Sequence, residues 1–297
     1  MPSTKEIILS QLAEPYCTLL SRISFSGLEE IRFRVGRPVS LYYYNRVLFL
    51  AESGTTQTQK DAKHASKNEL EALTACLCNY SVYAYLNEMK DGFITIRGGH
   101  RVGLAGKCVE KNGQISGISS ISGINIRIAR EYKGCAESLM PHLRLANSVY
   151  NTLLLSPPQC GKTTYLRDIT RLLSADFKIT VVDERSEIAG SFDGIPQFDI
   201  GPQTDVLDRF PKTDGMLLAL RSLSPQILVT DELGDDRDAD AAYKLYGAGC
   251  RLIATMHGDN LNELSKTKKS LLSLFDIAIL MGRRDGRPAV SSITRLR

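Results

Sequence analysis

Residues 152–164 read TLLLSPPQCGKTT, a short apolar run followed by a loop that ends in Gly161, Lys162 and Thr163. The apolar run has the length of a buried strand, and the residues from Lys162 onward have the pattern of a helix. A tight loop between a strand and a helix aims consecutive backbone N–H groups at one point, at the positive end of the helix dipole. The stretch therefore predicts a phosphate-binding loop, or P-loop, at the end of a strand.

Three residues of this loop have expected roles in binding a nucleotide. Gly161 allows the backbone to approach the phosphates, Lys162 reaches the β- and γ-phosphates, and Thr163 offers its hydroxyl to Mg²⁺. The expected ligands are therefore ATP and Mg²⁺. A Gly-Lys-Thr sequence that occurs by chance at the start of a helix is the alternative interpretation.

The entry of the loop departs from the usual P-loop pattern. Ser156 stands where a glycine is usual, and Pro157 and Pro158 have no backbone N–H to donate. The N–H groups that surround the phosphates are therefore expected from residues 159–164. The complete set of expected nucleotide-binding residues is Ser156, Pro157, Pro158, Gln159, Cys160, Gly161, Lys162, Thr163 and Thr164.

Two further apolar runs end in pairs of acidic residues. The run ILVT is followed by Asp231 and Glu232, and the run ITVV is followed by Asp183 and Glu184. The carboxyl ends of parallel strands meet at one edge of a sheet, so we expect both pairs beside the P-loop. Asp231 is the expected Mg²⁺ ligand and Glu232 the expected group that polarises water, although a solvated acidic turn is the alternative.

The role of Glu184 stays open between two interpretations. It either positions water or metal, or forms a salt bridge with Arg185 or another arginine. The sequence does not decide between Glu184 and Glu232 as the main catalytic base.

A third apolar run, LIATM, carries Thr255 and is followed by His257. One class of P-loop proteins has an extra strand between the P-loop strand and the acidic strand, and this run is expected to take that place. Its terminal polar residue would then face the γ-phosphate. His257 is the expected sensor of that phosphate, and a structural histidine is the alternative.

Strands and helices alternate through the second half of the chain, which indicates a parallel α/β sheet. We predict a RecA-like P-loop domain over residues 139–297, preceded by a smaller α+β domain over residues 1–138. The segment 191–208 is predicted as a loop, either nucleotide-responsive or plain surface. The predicted strands of the second half are 152–155, 179–183, 227–230, 251–256, 276–281 and 291–295, and the predicted helices are 162–174, 213–222, 239–247 and 261–274.

The first half contains mixed signals for helices and strands. A helix is predicted from Ser3 or Thr4 to about Arg22, and a capping box at Ser66 and Glu69 predicts the start of another. Short alternating runs predict strands between and after these helices.

Composition limits the class of protein. The chain has 297 residues, a formal net charge of +4 and seven cysteines. The cysteines have no zinc-ligand spacing, so reduced thiols in the cytoplasm are expected. No apolar run has the length of a membrane span, so membrane association is expected to be peripheral and through partners. No arginine-rich run with interleaved aromatic residues points to nucleic acid.

The three strand ends resemble the secretion ATPase superfamily, the motors of type II and type IV secretion and of pilus machines. The Asp183 pair resembles its aspartate box, the Asp231 pair its Walker B box, and His257-Gly258 its histidine box. The segment that begins at Arg221 resembles the arginine-containing segment of those proteins.

Five further segments resemble the family of stage III sporulation protein AA, and this resemblance covers nearly the whole chain. The segments are residues 32–38, 97–106, 126–130, 183–190 and 201–208. It implies a hexameric ATPase of the sporulating mother cell that acts with membrane proteins forming a channel to the forespore. It also implies that arginines from the first domain or a neighbouring subunit reach the nucleotide. The candidate arginines are Arg97, Arg101, Arg127, Arg130 and Arg221.

Two other functions remain open from the sequence. A nucleic-acid-dependent ATPase of the recombinase or helicase type would share the core fold. A nucleotide-binding assembly factor that does not hydrolyse ATP would tolerate the two prolines of the loop, although Glu232 would then have no purpose.

Overall fold

The computed structural model describes residues 2–44, 46–90, 92–111, 113–158, 160–234, 236–258, 260–261, 264, 268–284 and 287–297. The chain divides into two compact units, Met1–Arg130 and Glu131–Arg297. The division lies eight residues before the predicted boundary at residue 138, because the intervening segment packs within the second unit. Backbone N–H groups of Gly134 and Ala136 donate hydrogen bonds to the buried carboxylate of Asp168.

The first unit is built on a seven-stranded antiparallel sheet with the order β4-β3-β2-β1-β7-β6-β5. Its strands are β1 (Leu28–Arg34), β2 (Ser40–Tyr43), β3 (Arg46–Ala51), β4 (Gly54–Thr56), β5 (Phe93–Ile96), β6 (His100–Lys111) and β7 (Gln114–Arg127).

Four helices pack with this sheet: α1 (Thr4–Leu9), α2 (Tyr16–Ser21), α3 (Lys67–Leu77) and α4 (Leu86–Lys90). The single helix predicted from Ser3 or Thr4 to about Arg22 is wrong, because α1 ends at Leu9 and α2 begins only at Tyr16. Pro15, which lacks an N–H for a helical hydrogen bond, is the N-cap of α2. The capping box of Ser66 and Glu69 at the start of α3 is confirmed.

The second unit is built on a sheet with the order β10-β9-β11-β12-β8-β13-β14. All neighbouring strands are parallel except the edge pair β13 and β14. The predicted parallel sheet is therefore confirmed, with β12 between the P-loop strand β8 and the acidic strand β11 as expected. The strands are β8 (Thr152–Ser156), β9 (Ile179–Asp183), β10 (Thr204–Asp208), β11 (Ile227–Thr230), β12 (Arg251–His257), β13 (Ile277–Arg284) and β14 (Arg287–Arg295).

Helices cover both faces of this sheet. They are α5 (Met140–Leu143), α6 (Lys162–Leu173), α7 (Lys212–Ser222), α8 (Asp236–Gly247) and α9 (Lys269–Leu272). Alternate residues of the central strands enter two separate cores: Leu153 and Leu155 pack with α7 and α8, whereas Leu154 packs with α6. Strands buried on both faces explain the continuous apolar runs that made them predictable.

The structure differs from the predictions in three places of the second unit. The segment 191–208, predicted as a loop, ends in the edge strand β10. The two last strands are longer than predicted and form one hairpin. The helix predicted over 261–274 is seen as α9, and residues 262, 263 and 265–267 of that prediction lie outside the described residues.

Candidate active site

The P-loop follows β8 directly and leads into α6. Gly161 is the N-cap of α6, with φ of 78° and ψ of 18°, a left-handed conformation that glycine adopts without a Cβ penalty. The backbone therefore turns sharply just before Lys162, and the first N–H groups of α6 point back into the loop. Gln159, one of the expected binding residues, lies outside the described residues.

The Lys162 side chain is buried within the loop. Its Nζ lies 3.2 Å from both the carbonyl oxygen and the Oγ of Ser156, and 3.4 Å from the Pro157 carbonyl. It also lies 3.1 Å from Nδ1 of His257. Burial lowers the pKa of Lys162, against the opposing effect of the Glu232 carboxylate. The Lys162 ammonium group thus donates to oxygens of the loop entry. Phosphate oxygens of a bound nucleotide could replace these acceptors.

His257 connects Lys162 to Glu232. An ammonium group can only donate, so Nδ1 of His257 is the acceptor and the proton of the neutral ring is on Nε2. Nε2 lies 2.8 Å from Oε1 of Glu232. The other carboxylate oxygen of Glu232 lies 2.8 Å from a guanidinium nitrogen of Arg185. Lys162 and Glu232 are therefore one imidazole ring apart.

The backbone of Glu232 adopts a strained conformation. Its φ is 46°, which costs a non-glycine residue about 1 kcal/mol or more. Two contacts hold this conformation: the Glu232 N–H donates to Oγ1 of Thr255 at 2.9 Å, and Nζ of Lys212 donates to the Glu232 carbonyl at 2.7 Å. The strain directs the carboxylate toward His257 and Arg185, at the carboxyl edge of the sheet.

Asp231 and Asp183 are buried carboxylates at the ends of neighbouring strands. Burial raises the pKa of Asp231 to about 7, and the nearby Asp183 contributes to that rise. Burial also raises the pKa of Asp183 to about 6, against hydrogen bonds from three backbone N–H groups, those of residues 187, 188 and 189. Asp183 thus fixes the turn after β9, whereas Asp231 is the carboxylate that suits a cation.

Glu184 follows β9, which lies on the other side of β11 from the P-loop strand β8. One of its oxygens accepts the backbone N–H of Lys212 at 3.2 Å, and the other lies 3.7 Å from Nζ of the same residue. Both glutamates line a cleft of about 600 Å³ together with Arg185 and Lys212. Glu184 is therefore near Glu232, but its contacts are with the start of α7.

The remaining P-loop residues suit a phosphate and a magnesium ion. Thr163 and Thr164 occupy the first turn of α6 and are half-buried. Mg²⁺ prefers hard oxygen ligands and usually takes few of them from the protein. The Thr163 hydroxyl and the buried Asp231 carboxylate fit that preference, because a cation would favour the ionised form of Asp231.

Three of the candidate arginines have partners within the first unit. The Arg101 guanidinium stacks 3.8 Å from the ring centre of Phe93, and Arg127 lies 3.6 Å from a carboxylate oxygen of Glu30. Arg130 donates to two backbone carbonyls at 3.1 and 2.9 Å. Their contribution to a nucleotide site stays a prediction.

The other two candidates differ in position. Arg97 is exposed in the first unit. Arg221 is exposed near the end of α7, where its Nε donates to the Leu217 carbonyl. Nine residues separate it from Lys212 at the start of α7, which corresponds to roughly 13 Å along the helix. The structure therefore does not bring Arg221 together with the P-loop of the same chain.

A family model described as sporulation stage III, protein AA, matches residues 3–293 of the chain. The chain belongs to this family. The stage III sporulation protein AA of Bacillus subtilis (strain 168) is 41% identical over 277 residues, which are 90% of this chain and 86% of that protein. The resemblance stated from the sequence is therefore confirmed.

Two solved structures have a similar fold. The pilus retraction motor PilT, determined with bound ADP, has a TM-score of 0.60 at 15% identity, covering 91% of this chain and 79% of its own. The ATPase DotB of Legionella pneumophila has a TM-score of 0.56 at 16% identity, covering 89% and 75%. This member of the sporulation family thus shares the fold of PilT and DotB. None of the helices in its described residues is long and apolar enough to span a membrane.

Two partners of Glu232 in this family member were not singled out from the sequence. Arg185 is a natural sequence-based partner for its neighbour Glu184, but the structure pairs it with Glu232. Lys212 carried a detectable signal: a lysine at the first position of a helix opposes the helix dipole, so a specific contact must compensate. That contact is with the Glu232 carbonyl.

Gly161→Ala is expected to destabilise the protein and to weaken nucleotide binding. A Cβ at this position would lie 2.7 and 2.9 Å from Cβ and Cγ of Pro288, and φ is left-handed. Together these effects predict a loss of roughly 2–4 kcal/mol in the free energy of unfolding, measured in urea.

Gly247→Ala is the matched control, because the last residue of α8 has open space around it. It is expected to leave stability unchanged or to raise it by up to about 1 kcal/mol. Equal stability of the Gly161→Ala protein and the wild type would show that the loop does not depend on this conformation.

Proposed function

We propose that this chain is a Mg²⁺-dependent ATPase that binds ATP on residues 156–164 and hydrolyses it with Glu232 as the base. The contact series from Lys162 through His257 to Glu232 carries this proposal. It connects an ammonium group, which suits phosphate binding, with a carboxylate, which suits water activation, at the sheet edge where parallel α/β proteins bind ligands. The fold shared with secretion ATPases supports it.

Binding of ATP would change the partners of Lys162. The β- and γ-phosphate oxygens would replace the Ser156 and Pro157 oxygens and Nδ1 of His257 around the ammonium group. His257 would keep its Nε2 contact to Glu232, and its Nδ1 would lose the Lys162 ammonium group as a donor. The histidine would thus report whether the γ-phosphate is present.

Hydrolysis would then follow by in-line displacement. The Glu232 carboxylate accepts a proton from a water molecule, whose oxygen attacks the γ-phosphorus as the bond to the ADP oxygen breaks. Bound Mg²⁺ would neutralise charge on the phosphates, with Thr163 and Asp231 as its protein ligands. Lys162 stabilises the charge that develops on the phosphate oxygens, and Arg185 keeps the Glu232 carboxylate in place.

We propose further that the active form is a hexamer in the cytoplasm that binds the membrane through partner proteins. Secretion ATPases work as rings in which arginines complete the site, and Arg97, Arg101, Arg127, Arg130 and Arg221 are the candidates here. Membership of the sporulation family supports a role in energising a channel between mother cell and forespore.

The first test compares ATP binding and steady-state hydrolysis in the wild type and in Lys162→Ala. Loss of the charged hydrogen bonds is expected to weaken ATP binding by roughly 100-fold and to stop turnover. Lys178→Ala is the matched control, because Lys178 is an exposed lysine just before β9 at the opposite edge of the same sheet. It should bind and hydrolyse ATP like the wild type.

Three other outcomes would change the proposal. A wild type that binds no ATP would refute it. Binding without turnover, at high protein concentration as well, would favour a nucleotide-binding assembly factor. Stimulation by single-stranded DNA would favour a nucleic-acid-dependent ATPase.

A further inference from the structure

The hairpin of β13 and β14 extends past the carboxyl edge of the second sheet. Pairing between β13 and β8 ends at Leu280 and Leu155, one residue before β8 gives way to the P-loop. β13 continues for four more residues to Arg284, paired only with β14. At 3.3 Å per residue this overhang is roughly 13 Å long, so it runs alongside the P-loop.

The overhang touches the P-loop at Gly161. A Cβ built on Gly161 would lie 2.7 Å from Cβ and 2.9 Å from Cγ of Pro288. Pro288 is itself exposed, so its ring also borders the space in front of the loop. The hairpin therefore lines the same candidate site as Lys162.

The register of the hairpin decides which side chains face the P-loop. Arg283 and Pro288 form a directly opposite pair, and the side chains of such a pair project from the same face. Two residues back on that face, Met281 and Val290 pack on the core that contains α6. Arg283 therefore lies on the α6 and P-loop face of the hairpin.

Arg284 lies on the other face of the hairpin. It pairs with Arg287, and this pair is directly adjacent along the hairpin to the pair of Arg283 and Pro288. Adjacent residues of a strand project to opposite faces. The hairpin thus has two neighbouring exposed arginines with opposite directions.

The order of strands determines which end of a bound nucleotide would lie beside the hairpin of β13 and β14. β12 and β13 flank the P-loop strand β8 on its two sides. Lys162 reaches toward His257, the last residue of β12, and through it toward Glu232, so the γ-phosphate end belongs on that side. A triphosphate held across the start of α6 then directs its nucleoside end toward β13.

We infer that Arg283 and Pro288 bind the nucleoside part of the nucleotide. This inference rests on the proposed function, because it requires a nucleotide on the P-loop. The proline ring offers an apolar surface for the base, and a planar guanidinium can stack on a purine. The hairpin would thus be what distinguishes a nucleoside triphosphate from a bare polyphosphate.

The test is calorimetric titration of the full chain with ATP and with inorganic tripolyphosphate, both in the presence of Mg²⁺. Arg283→Ala is expected to weaken ATP binding by roughly tenfold and to leave tripolyphosphate binding within about twofold of the wild type. Arg284→Ala is the matched control and is expected to change neither. Both residues are exposed, so neither substitution should affect folding.

The outcomes separate this inference from the proposed function. If the wild type binds neither ligand, the proposed function fails and the inference fails with it. If the wild type binds both ligands equally tightly, the P-loop proposal stands and the inference is wrong. It is also wrong if Arg283→Ala weakens both ligands to the same extent or leaves ATP binding unchanged.

Discussion

Glu232→Gln is expected to abolish ATP hydrolysis while ATP binding is retained. Glutamine has nearly the same shape as glutamate but cannot accept the proton of the attacking water. Loss of a general base costs roughly 100- to 10,000-fold in rate. The Lys162 contacts with the loop entry do not involve Glu232, so binding should stay within a few-fold of the wild type.

The local structure around position 232 should survive this substitution. The strained backbone is held by Thr255 and Lys212, and both contact main-chain atoms of residue 232. The glutamine oxygen can still accept a hydrogen bond from Arg185 or from His257. A change in activity can therefore be assigned to the lost carboxylate and not to a rearranged loop.

Glu184→Gln is the comparison that decides which glutamate is the base. Both residues line the same cleft, but Glu184 contacts Lys212, whereas Glu232 contacts His257, which in turn contacts Lys162. We expect Glu184→Gln to reduce turnover by less than about tenfold. Turnover should be measured as single-turnover hydrolysis at saturating ATP. If Glu184→Gln is the slower enzyme and Glu232→Gln remains active, the assignment of the base must be reversed.

The central part of the second unit could be predicted because its information is local. Strands buried on both faces are continuous apolar runs, and three such runs end in the residues that form the site: Lys162 follows one, Glu232 another, and His257 the third. Parallel strands bring their carboxyl ends to one edge whatever their order. The convergence of these residues therefore follows from the pattern of the sequence.

The edges of the fold were harder to predict because their stability depends on neighbours. β10 reads TDVLD, with only two apolar residues, and is a strand because it pairs with β9 along its whole length. Pro15 signals an interruption between α1 and α2, but the apolar pattern around it favours one continuous helix, and the prediction followed that pattern. Pairing partners and turn positions outweighed periodicity in both places.

The details of the site were not predictable because they join residues far apart in the chain. The contact of Lys212 with Glu232 and that of Pro288 with Gly161 depend on how helices and hairpins stack on the sheet. No periodicity or spacing in the sequence encodes such distances. The sequence shows which functional groups are available at the sheet edge, whereas the structure shows which of these groups contact each other.

Asp231→Asn is expected to stabilise the nucleotide-free protein and to abolish Mg²⁺-dependent hydrolysis. Burial and the neighbouring Asp183 raise the pKa of Asp231 to about 7, whereas a carboxyl group in the unfolded chain has a pKa of roughly 3.9. The folded state therefore takes up a proton between these values. The contribution of Asp231 to stability is therefore most favourable below about pH 4 and becomes less favourable as the pH rises toward 7.

Asparagine removes the energetic cost of an ionised carboxylate at this buried position, because it carries no charge at any pH. The gap between the two pKa values corresponds to roughly 4 kcal/mol, an upper bound because the charge of the nearby Asp183 contributes to the raised pKa. The variant should therefore gain roughly 2–4 kcal/mol in free energy of unfolding at pH 8, and nearly nothing at pH 4. Urea unfolding across this pH range measures the difference. Asp205→Asn, at an exposed position of β10, is the matched control and should follow the stability of the wild type across the same pH range.

The same substitution tests whether Asp231 meets the metal. A cation beside the carboxylate favours its ionised form, so Mg²⁺ with ATP should stabilise the wild type more than ATP alone does at pH 8. In Asp231→Asn that additional stabilisation should be largely lost, together with hydrolysis, because an amide oxygen is a weaker ligand than a carboxylate. A variant that is more stable and still hydrolyses ATP at the wild-type rate would show that Asp231 is a buried structural acid. A variant that is less stable at pH 8 would instead show that the ionised carboxylate stabilises the fold.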